Sequence, residues 1–167
     1  MDRTEITPCR AEDLPLLGRH LPTPGAPTRH ADRFARQEAG HGTYLIAWHG
    51  GLPAGNGQIR WDGCAAPEVQ AVLAGCPELN GLDVREDLRG QGIGTALIRA
   101  AEELARERGR THLGLGVGDD NPRAAALYAR LGYGPVTAYT DRYAYTDEAG
   151  LRHDCADPCT FLVRRLA

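Results

Sequence analysis

The sequence predicts an α+β fold in which helices flank a mixed, mostly antiparallel sheet. The segment order gives the first reason: one strand, two helices and several antiparallel strands precede a strand–helix–strand–helix–strand arrangement. The second is the crossover at 78–117, which should be right-handed and place two strands in parallel. The third is size: 167 residues, 42% hydrophobic and 25% charged, suit a single domain over 1–167.

The N-terminal 40 residues predict one strand and two short helices. Residues 4–7 alternate polar and apolar side chains, which is typical of a strand. Residues 14–21 place leucines at helical spacing, and the Pro-, Gly- and Thr-rich residues 22–27 form a loop. A second helix is expected over 30–38, with Phe34 as its main apolar anchor.

A hairpin and a less regular segment follow. Residues 43–48 are rich in β-branched and aromatic side chains, and 49–51 turn the chain back into a strand over 54–61. Within residues 62–77, Pro67 and Pro77 bracket the stretch 68–74, which is compatible with an extra helical turn or with a mobile insertion.

The pattern is clearest from Glu78 onward. Residues 78–84 alternate as a strand with one face in the core, and 95–108 form the strongest amphipathic helix of the chain. Another strand is expected over 111–117. Asn121 and Pro122 then begin a further helix, as N-cap and first helical residue.

The C-terminal part predicts two short strands. One lies near 135–139 and the other covers 160–163, with a charged, glycine-containing turn between them.

Composition excludes several functional classes. The net charge of -3 and a pI near 6.1 give no basic surface for nucleic acid and no polybasic segment for a membrane. Residues 1–20 are charged rather than apolar, unlike a signal peptide. Five scattered cysteines do not suggest a disulfide framework, so we expect a reduced, cytoplasmic protein.

The most informative segment is the glycine-rich stretch 89–95, between a strand and a helix N-terminus. Helix N-terminal amides have no internal partners, and glycines let a phosphate approach them. A dinucleotide fingerprint is excluded because Leu97 replaces its third glycine, and a Walker loop is excluded because the chain has no lysine. What remains is Arg-x-x-Gly-x-Gly: Arg89, Gly92 and Gly94.

This stretch, preceded by Leu-Asp-Val at 82–84, resembles the acetyl-CoA signature of the GNAT N-acetyltransferase superfamily. Asn-Pro at 121–122, followed by Ala-Leu-Tyr-Ala-Arg-Leu-Gly-Tyr at 126–133, resembles the next helix of that family. The firm resemblance covers 78–134. It implies a splayed β-α-β acetyl-CoA-binding core there, and acetyl-CoA as the acyl-donor cosubstrate.

The resemblance also implies a set of cofactor contacts. The pantetheine arm would bind the main chain of 82–84, the pyrophosphate would bind amides of 90–95, and Asn121 would lie near the pantetheine unless it is only a helix cap. The implied cofactor-binding residues are Leu82, Asp83, Val84, Arg89, Gly90, Gln91, Gly92, Ile93, Gly94, Thr95 and Asn121.

Two side chains are the candidates for chemistry. The resemblance implies that Tyr128 protonates the leaving thiolate, although its place on the apolar face of its helix is also explained by packing. It implies that Glu78 removes a proton from the attacking amine, directly or through water, unless it is only a charge at a strand end. The amide of Val84 is the candidate donor to the thioester oxygen.

Cys155 and Cys159 lie near His153 but supply one ligand too few for a structural zinc site, so we expect no metal. The expected reaction is acetyl transfer to a primary amine of a small molecule by direct attack in a ternary complex. A peptide or protein amine, a non-catalytic acyl-CoA-binding regulator and a longer acyl donor stay open. Loops near 20–40, 62–77 and 139–157 should select the acceptor, and a homodimer is possible.

Overall fold

The computed structural model describes residues 3–166, which form one seven-stranded sheet with helices on both faces. The strands are β1 Thr4–Pro8, β2 Gly42–His49, β3 Leu52–Arg60, β4 Glu78–Val84, β5 His112–Gly118, β6 Gly134–Thr146 and β7 Arg152–Arg165. The helices are α1 Leu14–His20, α2 Arg29–Glu38, α3 Pro67–Val72, α4 Ile93–Glu107 and α5 Pro122–Arg130. The strand order is β1-β2-β3-β4-β5-β7-β6, and only β4 and β5 are parallel. The predicted mixed, mostly antiparallel sheet is therefore confirmed.

The structure resolves the uncertain segment 62–77 and corrects the segment 139–157. The former contains the short helix α3, whose Val69 is buried. The predicted charged, glycine-containing turn is present at 147–151. The residues on either side of it, predicted as loops, belong to the long strands β6 and β7, which pair from Gly134–Val163 to Thr146–Arg152. The projecting part of the hairpin is largely exposed, so its residues are polar on both faces. Such strands lack the alternation of apolar and polar residues by which a strand is predicted.

One face of the sheet carries the main apolar core. Helix α4 lays Ile93, Leu97, Ile98 and Ala101 on this face, where they pack against side chains of β3, β4 and β5. Gly55 and Gly57 of β3 also border this core: a Cβ on Gly55 would meet Leu97 of α4, and a Cβ on Gly57 would meet Leu79 of β4.

The opposite face is polar where α2 covers it. Alternation along β3 turns Asn56, Gln58 and Arg60 away from the α4 core, and Asn56 and Gln58 are buried. A small apolar cluster that includes Leu17, Tyr44 and Ile46 supports α1 and α2 beside this polar row. Phe34 is the α2 side chain that packs against this cluster, as predicted, although it is only partly buried. The buried side chain of α2 is His30.

A fully buried carboxylate, Glu102, joins α4 to the C-terminal strand. It accepts hydrogen bonds from the Tyr133 hydroxyl at 2.7 Å and from Arg99 at 2.8 Å, and it pairs with Arg164 at 2.7 Å. These partners hold the pKa of Glu102 below its ordinary value even though burial raises it. The apolar pattern of α4 gave no sign of this charge.

Within residues 3–166, no helix combines the length and apolar character that crossing a membrane requires.

Candidate functional site

The central feature of the site is a wedge between β4 and β5. These parallel strands pair only at Glu78–Gly114 and Leu79–Leu115 and then diverge. A bulge in β4 increases the divergence: three steps from Asn80 to Asp83 oppose two steps along β3, and Gly81 adopts a φ of +66° within it. The predicted splay is present.

The backbone of Val84 turns toward this wedge. Arg85 donates its amide hydrogen to the Ala54 carbonyl at 2.8 Å, and hydrogen bonding alternates along an antiparallel pair. The amide and carbonyl of Val84, opposite Gly55, therefore point away from β3. The Val84 carbonyl accepts a bond from Arg89 Nε at 3.1 Å, in agreement with this orientation.

The glycine-rich loop lies at the open end of the wedge, where α4 begins. Gly90 and Gly92 have φ values of +80° and +82°, the left-handed region that glycine adopts easily, and Gly92 is the N-cap of α4. A Cβ on either glycine would meet no atom within 4 Å, so the space in front of them is open. The amides of Ile93, Gly94 and Thr95 have no acceptor within the helix, and the loop can receive an anion.

The other predicted cofactor residues fall into two groups. Leu82 packs against the core and also lines the cleft, whereas Ile93 is buried in the core. Asp83, Arg89 and Gln91 are exposed. The guanidinium of Arg89 lies 3.4 Å from Asp83 and on the Val84 carbonyl rather than toward open space.

Helix α5 brings Tyr128 to the wall of the wedge. Tyr128 is 8% exposed and lines the cleft that opens from the wedge. Burial raises its pKa, so its hydroxyl stays protonated at neutral pH. Asn121 also lines the cleft, and its side-chain oxygen accepts the Ala124 amide at 3.1 Å, which confirms the predicted helix cap.

The cleft has a volume of about 700 Å³ and extends from the wedge between α2 and the β6–β7 hairpin. Arg29, Arg33 and Arg36 of α2 line one side, and Asp141 and Asp157 of the hairpin line the other. The hairpin tip reaches the α1–α2 segment, where the Gly25 amide donates to Glu148 at 2.8 Å. The acceptor side of the cleft is therefore partly enclosed.

Glu78 lies behind the cleft wall rather than on it. It is 2% exposed and is absent from the residues that line the cleft, whereas its neighbours Arg60 and Asp141 are present. Burial raises the pKa of Glu78 to about 7, the nearby charge of Arg60 lowers it, and Asp141 raises it. Hydrogen bonds from Cys64 and Asn80 lower it further. A carboxyl with this pKa can gain and lose a proton near neutral pH. Because Glu78 does not line the cleft, a proton from a bound amine would reach it only through another group.

Sequence reasoning missed two features of the cleft. The first is Tyr139, which is buried and crosses β5 so closely that a Cβ on Gly116 would overlap its hydroxyl. The alternating glycines of β5, at Gly114, Gly116 and Gly118, were the available signal. The second is the arginine face of α2, whose i, i+4, i+7 spacing was also visible in the sequence.

The described residues contain no group of three or more His, Cys, Asp or Glu side chains placed to hold a metal ion. His153, a candidate ligand from the sequence, stacks on Tyr145 at 4.9 Å and bonds Asp147 through Nε2 at 2.7 Å.

Comparison with known sequences identifies the same region. The model of the acetyltransferase (GNAT) family matches residues 13–133. An uncharacterized N-acetyltransferase of Methanocaldococcus jannaschii is 48% identical over 56 residues, which is 34% of this chain and 25% of that protein. The chain aligns with between 23% and 35% of the length of the curated relatives it matches.

Solved structures share the fold over nearly the whole chain. An N-acetyltransferase from Staphylococcus aureus Mu50 superposes with a TM-score of 0.71 at 16% identity, covering 99% of both chains. An acetyltransferase from Elizabethkingia anophelis, crystallised with acetyl-CoA bound, superposes with a TM-score of 0.63 at 18% identity, covering 99% of this chain and all of the other. At these identities the likeness concerns the fold.

Proposed function

The chain belongs to the acetyltransferase (GNAT) family, and from that membership we propose that it transfers acetyl from acetyl-CoA to a primary amine of a small molecule. The observation that carries the proposal is the wedge: β4 and β5 separate after two paired positions, with Tyr128 on its wall and a phosphate-sized glycine loop at its open end. Residues 3–166 share one sheet, which supports a single domain.

The cofactor would bind mainly to backbone. The pyrophosphate suits the amides of 90–95, and the pantetheine arm suits the main chain of Leu82, Asp83 and Val84 along the wedge. In this arrangement Arg89 exchanges its exposed contact with Asp83 for a phosphate oxygen. Asn121, at the cleft wall, would contact the pantetheine with its amide nitrogen while its oxygen caps α5.

The transfer proceeds by direct attack with both substrates bound. The amine nitrogen forms a bond to the thioester carbon, whose oxygen takes the displaced electron pair and is stabilised by the Val84 amide. The carbonyl then re-forms as the carbon–sulfur bond breaks. Tyr128 donates its proton to the departing sulfur, since burial has kept that hydroxyl protonated.

The proton lost by the amine passes toward Glu78. Because Glu78 lies behind the wall, its role in this proposal is indirect, through water or through Asp141, which lines the cleft beside it. Its pKa of about 7 matches that task at neutral pH.

A small acceptor is preferred over a protein. The contact between Glu148 and Gly25 encloses the cleft between the hairpin and α1–α2, which leaves less access for an extended polypeptide. A homodimer stays a prediction; β6 is one of the two edge strands of the sheet, β1 being the other, and would be the strand that pairs.

The test combines binding and turnover. Calorimetry should detect coenzyme A binding, and a thiol assay should show CoA release from acetyl-CoA that depends on an added amine. Binding of acetyl-CoA without release for any amine would instead indicate a regulator that senses acyl-CoA. Thermal shifts with acetyl-, propionyl- and succinyl-CoA will rank the acyl donors.

A further inference from the structure

Helix α2 presents three arginines to the cleft. Arg29, Arg33 and Arg36 recur at i, i+4 and i+7, a spacing that aligns side chains on one helical face, and all three line the cleft. Arg33 reaches farthest toward the wedge: a Cβ on Gly81 in the β4 bulge would overlap its guanidinium. We call these three residues the α2 arginine row.

Neutral oxygens, not carboxylates, hold Arg33 and Arg36 of this row in place. Arg33 donates to the Asn56 side-chain oxygen at 2.7 Å, and Arg36 donates to the Gln58 side-chain oxygen at 2.8 Å. Among the described residues, no carboxylate lies within salt-bridge distance of any of the three. The contrast is with Arg99 and Arg164, which both close on Glu102 at 2.8 Å or less.

The positive charge of the row is therefore partly buried, and no carboxylate among the described residues neutralises it by a salt bridge. Burial lowers the pKa of Arg33 and Arg36, and neighbouring arginines lower each further. Asp32 is the nearest acid on the helix and also lines the cleft. It raises the pKa of Arg36, but it is exposed and its carboxylate accepts the Thr28 hydroxyl. Clustered guanidinium groups of this kind suit a planar anion, which they can bind with two parallel hydrogen bonds.

The hairpin presents the opposite charge across the cleft. Asp141 and Asp157 are directly paired across β6 and β7, so their carboxylates share one face, and both line the cleft. Like charges directly opposite in a sheet repel each other. Arg60, which lowers the pKa of Asp141, and Arg142 also line the cleft, but neither forms a salt bridge with a carboxylate among the described residues. The Tyr143 hydroxyl donates to Asp157 at 2.9 Å, and it is neutral.

We propose that the acceptor is an amino acid, with its carboxylate on the α2 arginine row and an ammonium group facing Asp141 and Asp157. This inference rests on the proposed acetyl transfer and specifies its acceptor. A polyamine or another polycation would place positive charge against the arginine row, which repels it. A zwitterion meets opposite charge on both walls.

Matched amines test the carboxylate requirement. CoA release would be measured with L-lysine against cadaverine and with L-alanine against ethylamine, pairs that differ only in the carboxylate. The amino acid should be used at least about tenfold more efficiently, as expected when a charge-assisted hydrogen bond is lost. Phosphoethanolamine, compared with ethanolamine, distinguishes a phosphate from a carboxylate, and a preference for it over both amino acids would overturn the assignment.

Variants locate the effect. Arg29 makes no side-chain hydrogen bond in the described part of the chain, so its replacement should disturb the fold little. Arg29→Gln should raise the KM for the preferred amino acid about tenfold while the KM for acetyl-CoA stays unchanged. Arg19→Gln removes an exposed arginine outside the cleft and should change neither. Equal use of L-lysine and cadaverine, or a preference unaltered by Arg29→Gln, would overturn the inference and leave acetyl transfer standing. Absence of release with every amine would remove both.

Discussion

The two sides of the cleft offer different kinds of chemical group. On the cofactor side, residues 78–95 offer backbone: two left-handed glycines, free helix N-terminal amides and the Val84 amide. On the acceptor side, α2 and the β6–β7 hairpin offer charged side chains. A backbone site requires glycine at fixed places within one short segment. A side-chain site needs only suitable groups brought together from distant parts of the chain.

This difference explains why one side matches a family pattern and the other does not. The anion-binding loop cannot change its glycines without losing its shape, because residues other than glycine rarely adopt the φ values of Gly90 and Gly92. The arginine row and the facing aspartates can be replaced one at a time, each replacement changing the acceptor rather than the fold. Substitutions on each side of the cleft test this division.

Tyr128→Phe should have the largest effect, because Tyr128 lies where the two sides meet. Removing the hydroxyl takes away the proton donor for the leaving sulfur, and kcat should fall by about 100-fold or more. The KM for each substrate should change little, since the ring and its packing remain. Steady-state CoA release measures both constants.

Tyr145→Phe supplies the control for Tyr128→Phe. It removes a hydroxyl from another tyrosine that lines the cleft, on the acceptor side. A fall in kcat as large as that of Tyr128→Phe would show that the chemistry is not confined to the wedge.

Much of the cofactor side was predictable from the sequence, and little of the acceptor side was. The strand at 78–84, the helix after the glycine loop and the Asn121 cap follow from alternation, helix spacing and capping preference, and the structure contains them. The extent of the β6–β7 hairpin was missed, because exposed strands carry no burial pattern. The meeting of α2 with that hairpin depends on the long-range order of the sheet, which local patterns do not encode.

Glu78→Gln should have the next largest effect, and the effect should depend on pH. Burial raises the pKa of Glu78 from 4.5 to about 7, so the folded state binds its proton more tightly than the unfolded chain. The free energy of unfolding should therefore fall as pH rises from 4.5 to about 7, by about 3 kcal/mol in total. Glu78→Gln should remove this fall, and with it any rise of kcat/KM near pH 7.

Urea unfolding at several pH values measures the first effect and pH–rate profiles measure the second. Glu107→Gln changes an exposed carboxylate at the C-terminal end of α4; it is the control and should leave both profiles as they are. If Glu78→Gln keeps the kinetic profile but loses the stability profile, Glu78 is a buried structural group and not part of proton transfer.

Gly92→Ala tests whether the cofactor side depends on backbone shape. The alanine would have to adopt the left-handed conformation that Gly92 has, which costs stability by about 1 kcal/mol. Its Cβ would also enter the open space in front of the loop, so the affinity for coenzyme A should fall about tenfold or more. Gly109→Ala is matched to it, with a φ of +71° and equally open surroundings at the other end of α4. It should lose similar stability without any change in affinity measured by calorimetry. Equal losses of affinity in both variants would contradict the assignment of the loop.

The smallest expected effect separates the two roles of Asn121. Asn121→Asp keeps an oxygen that can accept the Ala124 amide, so the helix cap and the stability should persist, while the amide donor proposed to face the pantetheine is lost. Asn121→Ala loses both groups and should lower stability by about 1 kcal/mol. A rise of a few-fold in the KM for acetyl-CoA in both variants, with a lower melting temperature only in Asn121→Ala, assigns the residue to the cofactor as well as to the cap. An unchanged KM for acetyl-CoA in Asn121→Asp would show that Asn121 is a helix cap alone. The cofactor would then be bound by backbone groups even beside a side chain that could have contacted it.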